Sequence, residues 1–438
     1  MIRQQIIKLY YRIFRQKIYN SYKVQKKIRM SSISEIKRVQ MTNLKTILNH
    51  AYNNSDFYRM YFDENDFSPN NFTNLDEFDS LPVIDKIHLK NNFEDVTVNN
   101  LNNFVEDFTS GSTGQPFKFL KDVKNEIPSE HASFIILKEN IGIKPFMRYK
   151  TLVIKTYPKN RVDLEKYDFK KIISSNSIGI AVSDLNYKNI DKIHHIIKFN
   201  KIEIVYGYSQ SLYYLFDLLS QTKSLSNIKF AIGIGEEMPD NHRRKLESKW
   251  NLKVGIDYGS SECMRLGFQC KSKKLHLDMF RFHVRNPEFS SDSQKVIVTN
   301  FNNFIFPFIN YDIGDEIIIS KSRCDCGCNF PIIERIMGRN TDAILSTNSQ
   351  KYSSTFFTII LEHFHSEVNR FQLVQKDFKN ILVKIEITEK FNKNTFKELY
   401  EKLNSMTNNE FNYEIIKVER IKPSKNGKYR IVTPLVNK

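Results

Sequence analysis

Apolar positions recur at helical spacing through residues 1–60, which predicts a helical N-terminal part. From about Asn65 to Asp79 the chain is rich in Asn and Asp and contains Ser68 and Pro69, a pattern that predicts loops. Short β-branched runs then alternate with helical stretches. The runs TLVIK at 151–155, IEIVYGY at 202–208 and FAIGIGEEM at 230–238 read as buried strands leading into turns, and 188–200 and 210–222 carry helical periodicity between them. Such alternation implies parallel βαβ units with ligands at the carboxyl ends of the strands. After Gly338 the texture changes: strands near 371–376 and 380–387, a helix near 393–407 and a strand near 413–420 form a small α+β module. The expected architecture is a large α/β domain over residues 1–337 followed by a small, mobile α+β domain over 338–438, with no internal repeat.

Residues 1–30 interleave Ile2, Ile6, Ile7, Leu9, Tyr10, Ile13 and Phe14 with Arg3, Lys8, Arg12, Arg15 and Lys17, the pattern of a basic amphipathic helix. Packing on its own domain with the cations in water is the expected use, and peripheral membrane contact the second. No apolar run approaches the roughly 20 residues that span a bilayer, and no signal-peptide pattern is present, so a cytoplasmic location is expected. The formal charge of +17 favours anionic partners, but the lysines are spread along the chain. Nucleotides and phosphosugars satisfy that bias as well as nucleic acid, which is not expected as a partner. The sequence leaves monomer and homodimer equally open.

Candidate chemistry concentrates first in FTSGSTGQPFKF, where Thr109, Ser110, Ser112 and Thr113 alternate with Gly111 and Gly114. Glycines permit close backbone approach, while hydroxyls and main-chain N–H groups donate to phosphate oxygens. The spacing is not that of a Walker A loop, because Pro116 stands five positions after Gly111. A flexible linker would also be rich in Ser and Gly, so the loop carries weight only together with other motifs.

Those motifs follow in order. The loop resembles the phosphate-binding loop of the adenylate-forming superfamily, which includes acyl-CoA synthetases, adenylation domains and luciferases. Its setting is most similar to phenylacetate-CoA ligases and capsule-biosynthesis proteins of the CapK type. In GIGEEMP, Gly235 and Glu236 resemble the turn that packs on adenine, and in DYGSSE, Tyr258, Gly259, Ser260, Ser261 and Glu262 resemble the YGxxE segment. The resemblance gives Glu262 to Mg2+, a hard cation that takes oxygen ligands beside ATP phosphates. In NYDIGDE, Tyr311, Gly314 and Asp315 match YxxGD, whose carboxylate accepts from both ribose hydroxyls. MGRNTDA resembles the hinge, with Arg339 near ribose or phosphate, although Thr341 stands before Asp342 where the family carries acidic residues. IKPSKNGKYRIV resembles the segment of the catalytic lysine and places Lys428 in that role, stabilising charge that builds on the phosphoryl oxygens.

The five cysteines, Cys263, Cys270, Cys324, Cys326 and Cys328, fall in one stretch, which suggests a metal and not a disulfide scaffold. Cys270, His276, Cys324 and Cys326 form a C-x5-H and C-x-C set suited to structural Zn2+, and Cys328 is an equally available thiol, so 326 with 328 competes with 324 and 326. Cys263 is read as a small buried hydrophobe. Tyr206, Tyr208 and Ser209, with the turn from Gly233 to Gly235, are candidates to line an acid pocket.

The implied function is ATP-dependent activation of a carboxylic acid as an acyl-adenylate, then transfer to a thiol, first of all CoA. A second expectation is an amide-forming ligase or adenylyltransferase acting on a sugar or cofactor in polysaccharide biosynthesis. A third, from a different class, is a binding module that has kept an inactive nucleotide fold.

Overall fold

The computed structural model describes residues 2–98, 103–109, 117–155, 172–174, 176–185, 188–220, 227–235, 238–287, 292–339, 343–347, 351–362, 364, 366–422 and 429–435. They form two compact units, one from Met1–Arg148 and Gly255–Arg335, the other from Tyr149–Val254 and Ile336–Lys438. Compactness therefore groups residues 149–254 with the C-terminal ones, where the sequence reading placed a boundary at 337 and 338.

In the first unit the expected helical start is present as Ile2–Phe14, Gln16–Arg29, Ile33–Asn54 and Asp56–Asp63. Serines set the breaks. Ser32 Oγ accepts from the Glu35 N–H at 3.3 Å, and Ser55 Oγ accepts from the Tyr58 N–H at 3.4 Å, so each occupies an N-cap whose helix has spare donors. The Asn- and Asp-rich stretch expected as loop contains one short helix, Leu75–Asp79. Asn74 Oδ1 accepts from the Glu77 N–H at 2.9 Å, and Phe78 buries completely against Phe67 and Phe72. Asn serves turns and caps alike, and here the buried Phe78 decides for the cap.

The strands of this unit were not foreseen. Phe282–Val284, Gln294–Asn300, Tyr311–Ile319, Ile332–Arg339, Leu275–Leu277, Met264–Gln269 and Lys253–Ser260 lie side by side in that order. The pairs Gln294–Asn300 with Tyr311–Ile319 and Lys253–Ser260 with Met264–Gln269 are antiparallel, in contrast to the parallel units expected throughout the large domain. A separate antiparallel hairpin, Phe104–Phe108 with Lys118–Asp122, brackets the Ser/Gly loop. Phe117, Phe119, Phe306, Phe308 and Tyr311 form a buried aromatic chain between hairpin and sheet, with neighbouring ring centroids 5.1–6.1 Å apart.

The second unit contains the parallel strands read from the sequence. Phe230–Ile234, Ile204–Tyr208, Thr151–Lys155 and Ser177–Ala181 run parallel in that order, with Ile172–Ser174 antiparallel at the edge. Ile190–Phe199, Ser209–Leu219 and Asp240–Ser248 are the helices between them. The C-terminal residues add a four-stranded sheet in the order Asn412–Lys417, Asn380–Ile387, Val368–Gln375 and Val432–Thr433, with helices Ser354–Glu362 and Lys393–Met406. Its core, including Phe357, Leu373, Val383, Leu399 and Leu403, draws among the described residues on 344–432.

Candidate active site

Strand Tyr311–Ile319 carries the YxxGD motif and organises the first unit's polar groups. At its start Tyr311 is buried, and its hydroxyl donates to Oε1 of buried Glu262 at 3.2 Å. That is the one hydrogen bond Glu262 takes among the described residues. A buried carboxylate held by a single neutral donor suits a hard divalent cation, which supplies the missing charge compensation. Four residues on, Asp315 accepts at Oδ2 from the Tyr258 hydroxyl at 3.1 Å, so one tyrosine orients each acid. Gly259, between Tyr258 and the turn to Glu262, packs where a Cβ would overlap the Met264 carbonyl; the strand pair can close only on glycine.

Ile84 bridges Tyr311 in parallel, accepting from Asp312 N–H and donating to Asn310 O, both at 2.9 Å. Two residues later Lys86 reaches the other side of the aromatic chain, where its Nζ donates to Thr109 Oγ1 at 2.9 Å. Thr109 is buried, and it exchanges hydrogen bonds with Phe117 across the hairpin mouth: Thr109 N–H to Phe117 O at 2.9 Å, Phe117 N–H to Thr109 Oγ1 at 3.1 Å. The stem of the Ser/Gly loop is thus pinned beside a lysine that the motifs did not reveal. Ser110, Gly111, Ser112, Thr113 and Gly114 themselves lie outside the described residues.

Behind the Glu262 turn sits a buried charged network. Cys263 is fully buried, its thiol pushed well up by burial and then by the Glu262 charge. Glu126 accepts from Asn300 Nδ2 at 2.8 Å, and burial drives its carboxyl up to about 7 against the pull of Lys121 and Arg281. Arg265 pairs with both Glu130 and Asp257, and Arg29 with Asp278 at 2.9 Å. Cys263 was read as buried from the sequence; the charged members were missed, since an isolated charged residue reads as a solvent-facing one.

A separate cluster occupies the same unit. Ligand atoms of Cys270, His276, Cys324 and Cys326 lie within 4.8 Å of one another. Cys270 Sγ is 3.6 Å from Cys324 Sγ, and Cys326 Sγ is 3.6 Å from His276 Nε2. Ligands 2.0–2.3 Å from a tetrahedral ion sit about 3.5–3.7 Å apart, so the residues fit zinc. His276 Nδ1 faces Phe330 O at 2.9 Å; donating there leaves the Nε2 lone pair to the cysteines, and burial, which lowers its pKa, keeps the ring neutral. Cys328 is not among the four; its thiol is buried and pushed up to about 12, and its N–H donates to Cys326 Sγ.

In the second unit the carboxyl ends of the parallel strands carry Lys155, half-buried Tyr206 and Tyr208, and the turn after Phe230–Ile234. Lys155 Nζ lies 5.1 Å from the Tyr206 ring centre, a cation–π contact without a sequence signal. Gly235 has φ +65°, a left-handed turn that glycine allows. Gly233 is buried against Ser209 and Met238. Strand Ile332–Arg339 ends on Arg339. Glu236, Thr341, Asp342 and Lys428 lie outside the described residues.

Comparison with known proteins bears on the fold. A solved structure of 2-hydroxyisobutyryl-CoA ligase in the postadenylation state, in complex with R3-HIB-AMP, matches with a TM-score of 0.72 at 14% identity, covering 94% of this chain and 91% of that one. The same ligase in complex with 2-HIB-AMP matches with a TM-score of 0.69 at 15% identity, over 93% and 91% of the two chains. The chain has the fold of the adenylate-forming ligases. Residues 344–434 match the family model of the CapK C-terminal domain. Over 431 residues the chain is 24% identical to Protein CapK of Staphylococcus aureus, covering 96% of this chain and 94% of that protein.

Proposed function

We propose that this protein activates a carboxylic acid with ATP. A carboxylate oxygen attacks the α-phosphorus, the bond to the departing pyrophosphate breaks, and an acyl-adenylate forms. The observation that carries this reading is the paired orientation of Glu262 by Tyr311 and Asp315 by Tyr258, beside the pinned stem of the Ser/Gly loop. Thr109 and the following Ser110, Gly111, Ser112, Thr113 and Gly114 cradle the outer phosphates. Glu262 would hold Mg2+, which supplies charge compensation there. Asp315 accepts from the ribose hydroxyls, while Gly235, Glu236, Gly259 and Ser260 shape the adenine site. Arg339 and Lys428 meet the phosphoryl charge, with residues 338–438 acting as the moving domain against residues 1–337.

Tyr206, Tyr208 and Gly233, at the ends of the parallel strands, are assigned to the acid. Transfer to CoA follows, the thiol sulfur attacking the acyl carbon and AMP leaving. The second reading is an amide-forming ligase or adenylyltransferase acting on a sugar or cofactor in place of thiol transfer. Cys270, His276, Cys324 and Cys326 would hold Zn2+, with four protein ligands leaving no open position; its role is to tie two loops together.

The deciding experiment is pyrophosphate exchange into ATP across a panel of carboxylic acids, followed by product analysis with and without CoA. Acid-dependent exchange is expected. Tight ATP binding with no exchange for any acid would leave only the inactive binding module.

A further inference from the structure

The helix Ile2–Phe14 is attached to its unit by one side only. Ile7 and Tyr11 pack on the cluster of Ile18, Tyr22, Ile135, Ile136 and Phe146, and Gln4 Nε2 donates to Pro145 O at 3.2 Å. A second apolar stripe faces outward. Ile6, Leu9, Tyr10 and Ile13, at i, i+3, i+4 and i+7, are 61%, 54%, 40% and 51% exposed, and Phe14 beyond them is 70% exposed. Four apolar side chains at this spacing form one continuous exposed stripe on a helix that packs by its opposite side.

Charge narrows what can cover that stripe. Residues 1–30 contain nine Lys and Arg and no Asp or Glu, and Lys8, Arg12 and Arg15 are exposed beside the stripe. A second copy of the chain would bring the same charge to the contact. It would also bury too little: 13 residues span about 20 Å, so a stripe about 10 Å wide covers some ~200 Å² where a standard interface needs about 800 Å² per partner. Nucleic acid would match the cations but leave Ile6, Leu9, Ile13 and Phe14 in water. An anionic bilayer surface satisfies both halves of the pattern. The helix is too short to cross a membrane, and no helix among the described residues is long and apolar enough to do so.

We propose that helix Ile2–Phe14 docks the protein reversibly on an anionic lipid surface, with Ile6, Leu9, Tyr10 and Ile13 in the acyl boundary and Lys8, Arg12 and Arg15 on lipid phosphates. This is independent of the reaction proposed above.

The test is co-sedimentation of the full chain with phosphatidylcholine vesicles, with and without an equal part of phosphatidylglycerol, at low and moderate salt. The protein should pellet only with the anionic vesicles, and less as salt rises. Leu9→Asp/Ile13→Asp should weaken binding more than tenfold. Lys8→Gln/Arg12→Gln/Arg15→Gln, which leaves the apolar stripe intact, should lose roughly fivefold per charge, on the order of a hundredfold in all. All five side chains are exposed, so thermal unfolding should not change, and the second variant keeps the test decisive if the first misfolds. Failure of the unaltered protein to pellet overturns the proposal, as does equal pelleting of all three proteins. So does a change from dimer to monomer in Leu9→Asp/Ile13→Asp, since a second copy would then be the cover.

Discussion

Glu262 and Asp315, the acids assigned to Mg2+ and ribose, are each held by a tyrosine, and each is only as good as its orientation. Lys428 carries the most specific expectation. Lys428→Ala should lower adenylation by orders of magnitude yet spare thioester formation from a supplied acyl-adenylate, measured as separate half-reactions; equal loss of both would remove it from that role. Glu126 sets a different kind of expectation. Its carboxyl is raised from 4.5 to about 7 in the folded protein, chiefly by burial. The stability it contributes is therefore complete below about pH 4.5 and is lost as pH rises through about 7, up to about 3 kcal/mol. Glu126→Gln keeps an acceptor for Asn300 and carries no charge. Denaturant unfolding should find the variant more stable than the natural chain at pH 8 and equal to it at pH 4; parallel pH profiles would show that the buried carboxyl is not the source. The motif residues could be singled out from the sequence because each motif is local to a few positions. Lys86, Lys155 and Glu126 were not, because among 66 Lys and Arg and 49 Asp and Glu only a fold tells which ones turn inward.

Elements differ in the same way. The runs 151–155, 204–208 and 230–234 announced themselves because a parallel strand buried on both faces is a continuous apolar run. Strands such as Leu275–Leu277 and Phe282–Val284 are three residues long, and no periodicity can declare so short a run; they exist through partners far along the chain. His276 lies on Leu275–Leu277, Cys270 just after Met264–Gln269, and Cys324 and Cys326 in the connection between Tyr311–Ile319 and Ile332–Arg339, so metal and sheet should stand together. Cys326→Ser or Cys270→Ser should abolish stoichiometric zinc and lower the melting temperature, whereas Cys328→Ser should retain the metal. Elemental analysis with thermal unfolding checks this; full zinc in Cys326→Ser would sink the assignment.

At the scale of the whole molecule, the C-terminal module owns its core. Leu399 and Leu403 are fully buried among residues of the same module. Residues 338–438 expressed alone should therefore unfold in one cooperative transition, and Leu399→Ala in that fragment should cost about 2–5 kcal/mol. A non-cooperative melt would mean that the module depends on the rest of the chain. Independent folding is also what a moving domain requires.

Order and spacing of motifs from Gly111 to Lys428 were the ground for expecting adenylate chemistry, because binding phosphate, ribose or metal calls for particular residue types within a few positions. The helical start, the parallel strands and the C-terminal module were likewise local. Tertiary structure alone decided that Tyr258 serves Asp315 and Tyr311 serves Glu262, that Cys324 joins Cys326 in place of Cys328, and that half of a basic helix keeps its apolar face in solvent. Those outcomes depend on which surfaces meet across tens to hundreds of residues, a matter of packing that no stretch of sequence contains.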